Sequence, residues 1–380
     1  MVPTGSCRST KPDRTFPSRF RTITSGLTDQ KDQAARASRK SKKRIIGILL
    51  LSATLVSLFF VPWILVWAWI RPLPASIEAQ AEQAVDYGFS GVVVHVYKHG
   101  EPPENYTAGW HDPAKMVPAR ADAYFKIGSI NKLYTAVAIA KLVGDGRLSL
   151  DRTLADLLPE LVGRIANTER ITLRMLVQHR SGIPNYTDTP DYWANPKATF
   201  EEKLALIQGA PADFQPGEDY AYCNTNYLLL NRIMEKTLGY ESFQFIQERI
   251  LTPLHLSHTF ASIQNVDIAD MMSGFHQGHA ADLKTDDIGM VATAQDVAVF
   301  LRALNTGDLL TDKERGIYAS IYEFEHSGWV PGYESFALYH ADQDAVVVSL
   351  YSTTDPDLIL WNLAEIINGR IARIIARGDA

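Results

Sequence analysis

Apolar positions recur along this chain at three spacings, and each predicts a different element. From Ile45 to Ile70 runs a stretch of 26 residues without a charged side chain. As a helix it is about 39 Å long against a hydrocarbon core of about 30 Å, which predicts one transmembrane helix, tilted or kinked at Pro62. Gly91-Val-Val-Val-His-Val-Tyr-Lys98 is rich in β-branched residues and predicts a strand, with a second around Tyr106 to Trp110 returning as a hairpin. From Ser129 to about Ile250 the spacing becomes three and four, as in Leu133, Val137, Ala140 and Val143, and predicts a helical block. Strand character returns at 333–340 and 345–351, around the turn Asp342-Gln343-Asp344, before a last helix from about Pro356 to Ala376.

Strands at both ends with helices between them predict an α+β fold. Its antiparallel sheet is built from N- and C-terminal segments, flanked by helices, and carries an inserted, mainly helical lobe. The expected boundaries are a tail at 1–44, the transmembrane helix at 45–70, a stiff linker Arg71-Pro-Leu-Pro74, and one domain at 75–380, led by a helix from Ala75 to about Tyr87.

Charge orients this plan. Residues 1–44 carry 12 Lys or Arg against 3 acidic residues, whereas the rest of the chain carries 25 against 40. The acidic folded part argues against nucleic acid as a partner. The cluster Arg39, Lys40, Lys42, Lys43, Arg44 directly before the apolar run, with only Arg71 directly after it, places the N-terminus in the cytoplasm and the domain in the periplasm or outside the cell. The tail lacks hydrophobic periodicity and is expected to be disordered. Trp63, Trp67 and Trp69 crowd the outer end of the run, where indoles favour the interface. A cleaved signal peptide with Ala79-Gln80-Ala81 as its site competes with this reading, but its apolar segment spans only about 7–15 residues. An Arg- and Ser-rich transit peptide competes less well, because Pro12 and Pro17 interrupt any amphipathic helix. The two cysteines, Cys7 and Cys223, fall on opposite sides of the membrane and imply no disulfide framework.

Three motifs carry candidate chemistry. Ser129-Ile-Asn-Lys132 opens a helix, so hydroxyl and amine share a face, and a desolvated amine can serve as the base of a serine nucleophile. Alone it reads equally well as a helix cap beside a solvated lysine. Tyr222-Cys-Asn224 lies in an extended segment after the Pro216-Gly217 turn and before a helix expected near Tyr227; the phenol can shuttle a proton and the amide can orient lysine and substrate. Its bland alternative is an aromatic loop anchor. His326-Ser-Gly328 reads as part of an edge strand: His326 can donate to substrate, and Gly328 lets substrate approach and leaves the Trp329 amide free to donate. A satisfied strand histidine is the ordinary reading of that motif alone.

In this order the three motifs resemble the serine β-lactamase and penicillin-binding-protein superfamily, in the branch of class C β-lactamases, D-alanyl-D-alanine carboxypeptidases and related esterases. Phe125-Lys-Ile-Gly-Ser129, Leu176-Val-Gln-His-Arg-Ser-Gly-Ile-Pro184 and Gly289-Met-Val-Ala-Thr-Ala-Gln-Asp296 are similar too, and the resemblance spans roughly 76–375. It implies a β-lactamase/transpeptidase-like fold and an acyl-enzyme in which Lys132 and Tyr222 activate Ser129. It further implies that the Ser129 and Trp329 amides hold the oxyanion, and that Asn224, His326, Gly328 and Trp329 bind substrate. No cofactor and no metal are implied. The expected substrate is a small ester, amide, D-amino-acid peptide or peptidoglycan-like molecule.

Departures from the pattern bear on substrate. His326 stands where β-lactamases usually carry lysine, which favours the esterase and carboxypeptidase readings. The interval from Tyr222 to His326 is short for a class C β-lactamase, so a reduced lobe and a more open cleft are expected. A non-turnover β-lactam sensor is the rival from another class, weakened by a tail without an output domain. No Gly-x-Ser-x-Gly occurs, and His255-x-x-His258 and His276-x-x-His279 lack the further ligands of a zinc enzyme.

Overall fold

The computed structural model describes residues 22–378. The chain divides into two units, Met1–Trp63 and Ile64–Ala380. Cys7 and the first part of the basic tail lie outside the described residues.

In the first unit α1 (Thr22–Phe59) is a helix of 38 residues. Residues 22–44, expected to be disordered, are helical. Gln33, Ala34, Ala35, Arg36 and Lys40 are good helix formers, and adding turns to a helix already nucleated by the apolar run costs little. The helix stops at Phe59, and α2 (Trp63–Ile70) begins after Pro62. Proline has no N–H and disfavours helical backbone in the residue before it. Among the described residues no single helix is long and apolar enough to cross a membrane; Gln33–Phe59 and Trp63–Ile70 reach that length and composition only as a broken pair. The expected single helix 45–70 is therefore two helices with a break at 60–62.

The second unit is built on an antiparallel sheet. Its strands are β1 (Gly91–Lys98), β2 (Glu104–Asp112), β3 (Val117–Pro118), β4 (His326–Val330), β5 (Tyr333–His340) and β6 (Ala345–Tyr351), in the order β3-β2-β1-β6-β5-β4. The N- and C-terminal segments meet where β1 pairs with β6, Val94 opposite Ser349. Successive β1 residues enter different cores. Val93 faces the helical lobe with Val346, Val348 and Leu350, while Val92, Val94 and Val96 face α3 (Ile77–Asp86) and the last helix with Val347 and Tyr351. With both faces buried, these strands read as continuous β-branched runs rather than alternating ones.

Between β3 and β4 the chain forms the lobe, whose main helices are α4 (Asn131–Gly144), α5 (Asn224–Leu238) and α6 (Ala294–Thr306). Helix α4 is its axis, buried on every side from Lys132 to Leu142, with Tyr134 stacked on Phe300 of α6 at 3.7 Å between ring centres. The C-terminal α7 (Ile359–Arg377) covers the other sheet face through Leu363, Ile367 and Ile371. Strand β4 is the sheet edge, as expected, and lies beside the N-terminus of α4.

Candidate active site

Two glycines bring the edge strand to the start of α4. The short strand Phe125–Lys126, paired with Val291–Ala292, delivers the chain into the turn Gly128–Ile130. Gly128 has φ +52°, and a Cβ there would stand 2.9 Å from the Trp329 amide nitrogen. A Cβ at Gly328 would strike the Ile127 carbonyl and stand 2.9 Å from the Ser129 amide nitrogen. The amides of Ser129 and Trp329 thus meet across a contact only glycine permits, an arrangement able to hold a carbonyl oxygen as it becomes anionic.

One turn after Ser129, at the start of α4, Lys132 Nζ lies 3.0 Å from Ser129 Oγ and 2.8 Å from Asn224 Oδ1. Its Nζ faces two aromatic rings, 5.0 Å from the centre of Tyr222 and 5.3 Å from that of Tyr227. Lys132 is buried and, among the described residues, has no carboxylate within ion-pair distance. The other buried lysine of this helix, Lys141, has Glu314 Oε2 at 3.5 Å. Burial without a counter-charge pushes the Lys132 amine down to about 7, so near neutrality much of it carries a free lone pair.

The Tyr222 hydroxyl donates to Ser129 Oγ at 2.6 Å, and burial raises its pKa, which keeps the phenol protonated. Helix α5 begins at Asn224, three residues earlier than expected near Tyr227, with Cys223 as its N-cap. Asn224 therefore holds Lys132 from a helix end rather than a loop, and its Nδ2 donates to Thr187 Oγ1 at 3.0 Å.

His326 lies on β4 with its ring stacked on Tyr322, 5.9 Å between centres. Its Nδ1 faces the Ser327 carbonyl, and its Nε2 is 3.3 Å from Glu323 Oε1 without hydrogen-bond geometry. Burial, with the Lys132 charge nearby, lowers its pKa to about 4. The ring is neutral at pH 7, so the titration near 6.5 expected of a solvated histidine moves out of the neutral range. Ser129, Lys132, Tyr222, Asn224, His326 and Trp329 line one cavity of about 530 Å³. It adjoins a second of about 1110 Å³ walled by Trp193, Trp329 and Trp361. Among the described residues no three His, Cys, Asp or Glu side chains are grouped to hold a metal.

Residues 69–320 match the protein family described as Beta-lactamase. The chain belongs to the beta-lactamase family. Among its relatives, Protein flp of Staphylococcus aureus (strain N315) is 25% identical over 314 residues, covering 73% of this chain and 63% of that protein. The chain thus spans less than two thirds of that relative's length. The D-amino acid amidase of Ochrobactrum anthropi SV3, solved with L-phenylalanine amide, superposes with a TM-score of 0.72 at 20% identity, covering 81% of this chain and all of the other. The D-stereospecific amidohydrolase from Streptomyces sp. has a TM-score of 0.65 at 24% identity, covering 74% of this chain and 95% of the other. These two likenesses show the fold.

Within this beta-lactamase-family site, several residues have no role in the sequence reading. His179 lies under Tyr222 with ring centres 4.5 Å apart and under Tyr227 at 5.2 Å. Its Nδ1 accepts the Cys223 amide at 3.0 Å, at a backbone φ of +57°. Asn185 Oδ1 accepts the Asn224 amide at 3.0 Å, which makes the loop after His179 a second clamp on the start of α5. The signal for His179 was the segment Leu176–Pro184, which carried the resemblance but, lying more than 30 residues from Tyr222, indicated no contact; Asn185 lies just beyond it. Cys223 itself is buried, its Sγ 3.2 Å from the Ile183 carbonyl.

Proposed function

We propose that this enzyme is a membrane-anchored serine hydrolase that cleaves small amides or esters, D-amino-acid amides foremost, through an acyl-enzyme on Ser129. The observation that carries the reading is the double contact on Ser129 Oγ, with Lys132 Nζ at 3.0 Å and the Tyr222 hydroxyl at 2.6 Å. In its neutral form Lys132 donates to Asn224 and turns its lone pair to the Ser129 hydroxyl proton. Tyr222 then supplies the second hydrogen bond to the same oxygen.

The oxygen of Ser129 attacks the substrate carbonyl as its proton passes to Lys132. The oxyanion forms against the Ser129 and Trp329 amides, and the leaving amine or alcohol takes a proton through Tyr222. Water, deprotonated by the same lysine, then attacks the acyl group; the acid departs and Ser129 regains its proton.

A neutral His326 supports a substrate that presents no carboxylate at β4. A carboxypeptidase would need an imidazolium there, and a β-lactamase of the usual kind a lysine. The Michaelis constant for a neutral amide is expected to stay flat from about pH 5.5 to 8, above the lowered His326 value of about 4. The two solved amidases add support for the D-amino-acid class. Residues 45–59 of α1, which carry no charge, serve as the anchor, and the basic cluster before them favours a cytoplasmic N-terminus.

The test is turnover by the full chain on D- and L-amino-acid amides, simple chromogenic esters, a D-alanyl-D-alanine peptide and a β-lactam. Fastest turnover of a D-amide or neutral ester is expected. Preference for the carboxylate-bearing peptide, or one equivalent of stable β-lactam adduct without turnover, contradicts the proposal.

A further inference from the structure

Far from the active site, one buried arginine gathers the chain on either side of residue 71. Arg370 of α7 is 2% exposed. Its Nε donates to Gln80 Oε1 at 2.6 Å, and its terminal nitrogens donate to the carbonyls of Ala68 at 3.3 Å, Arg71 at 2.7 Å and Pro72 at 2.7 Å. The Ala68 carbonyl belongs to the last turn of α2, whose carbonyls have no partner further along the helix. A guanidinium is the side chain best shaped to satisfy several such acceptors at once. Leu65, Ala68 and Leu73 pack into the core that Ile367, Ile371 and Ile374 form beneath the sheet. From Ile64 onward, α2 and the expected linker 71–74 are thus part of the folded domain rather than a tether.

The other face of α2 is uncovered. Ile64 is 39% exposed, Trp67 56%, Trp69 71% and Ile70 56%. A helix of eight residues is about 12 Å long, far short of a span, and its inner face and C-terminal carbonyls are held by a polar arginine of the domain. Indoles at such a face favour the boundary between headgroups and acyl chains.

We propose that α2 is a foot on which the catalytic domain rests on the bilayer surface, with Ile64, Trp67, Trp69 and Ile70 in the headgroup boundary and Arg370 locking the foot to the domain. Lipid is the occupant because the foot follows the charge-free stretch 45–61 in the chain, and because four side chains fall well short of the roughly 800 Å² per partner of a stable protein interface. The proposal rests on the membrane-anchored reading above and refines it: α2 adds to the anchor from the bilayer surface rather than from within a span.

The test uses the full chain with Cys7→Ser, carrying Trp67→Cys or Trp69→Cys labelled with a fluorophore, in phosphatidylcholine vesicles containing quenchers at shallow or deep lipid positions. Chain that fails to float with vesicles overturns the anchored reading and the foot together. For floating chain, shallow quenching exceeding deep quenching by at least about threefold is expected. Dominant deep quenching means α2 spans, and quenching only by aqueous iodide means it leaves the surface or pairs with a second copy; either overturns the foot. Arg370→Lys keeps the charge but loses the fork, and Gln80→Leu removes one partner. Each is expected to raise the label's rotational mobility at least twofold while turnover stays within twofold, and unchanged mobility in both overturns the lock.

Discussion

The Cys223 amide donates to His179 Nδ1 across 3.0 Å. That bond pins the one residue between Tyr222 and Asn224, and the imidazole lies flat beneath the Tyr222 ring. Nδ1 accepts only in the neutral ring, and burial, with the charges of Lys132 and His326 nearby, holds the His179 pKa at about 3.

His179 is therefore a positioning residue. His179→Ala removes the acceptor and the stacking surface; kcat is expected to fall about 10- to 100-fold with KM changed by less than about threefold, because Tyr222 loses aim while the binding cavity stays intact. Steady-state kinetics check this, and a change confined to thermal stability, with kcat unaltered, would assign His179 a structural role only. Leaving the buried Cys223 amide unpaired costs about 1–3 kcal/mol in addition.

In the proposed mechanism Lys132 sets the pH profile. With its amine at about 7, kcat/KM is expected to rise through pH 7 and level off above about 8, and no descending limb should come from Tyr222, whose pKa is raised. The same shift has a sign in stability. Between about 7 and the unfolded value of 10.5 the unfolded chain binds the proton and the folded one does not, so folding stability increases as pH rises through that window. Lys132→Met is expected to abolish turnover and flatten the stability slope between pH 7 and 10, read from urea melts across that range.

Gly328 tests the two amides. In Gly328→Ala the new methyl meets the Ile127 carbonyl and the Ser129 amide, so β4 must withdraw from the turn that carries Ser129. Loss of one oxyanion donor costs about 10²- to 10³-fold in kcat. The expected result is a loss of that size with the Ser129 hydroxyl still present and the circular dichroism spectrum unchanged. Near-normal kcat would place the oxyanion elsewhere.

Much of this arrangement was legible because it is local. Strands 91–98 and 345–351 carry runs of β-branched residues, 333–340 is rich in aromatic ones, and Ser129 and Lys132 share a helical turn. Tyr222 and Asn224 could be paired with them only through the order of the motifs, and the start of α5 was misplaced because Asn224 looks like a loop residue until its contacts are known. His179 was legible as part of a segment but not as the floor under Tyr222. Arg370 carries no signal in the sequence, since its partners at 68–72 and 80 lie about 300 residues earlier. The helix at 22–44 was missed because its composition is that of a polar tail, and the break at 60–62 was visible only as Pro62 within an otherwise continuous run.

The claim that Ser129 becomes acylated is tested most directly by intact-mass spectrometry of the full chain, quenched in acid within milliseconds of mixing with a D-phenylalanine ester. The account predicts a mass increase of one phenylalanyl group, mapped to the peptide containing Ser129, absent in Ser129→Ala and forming more slowly as pH falls below the Lys132 value of about 7. Turnover by Ser129→Ala at the wild-type rate, or an acyl group found on any other residue, would contradict it.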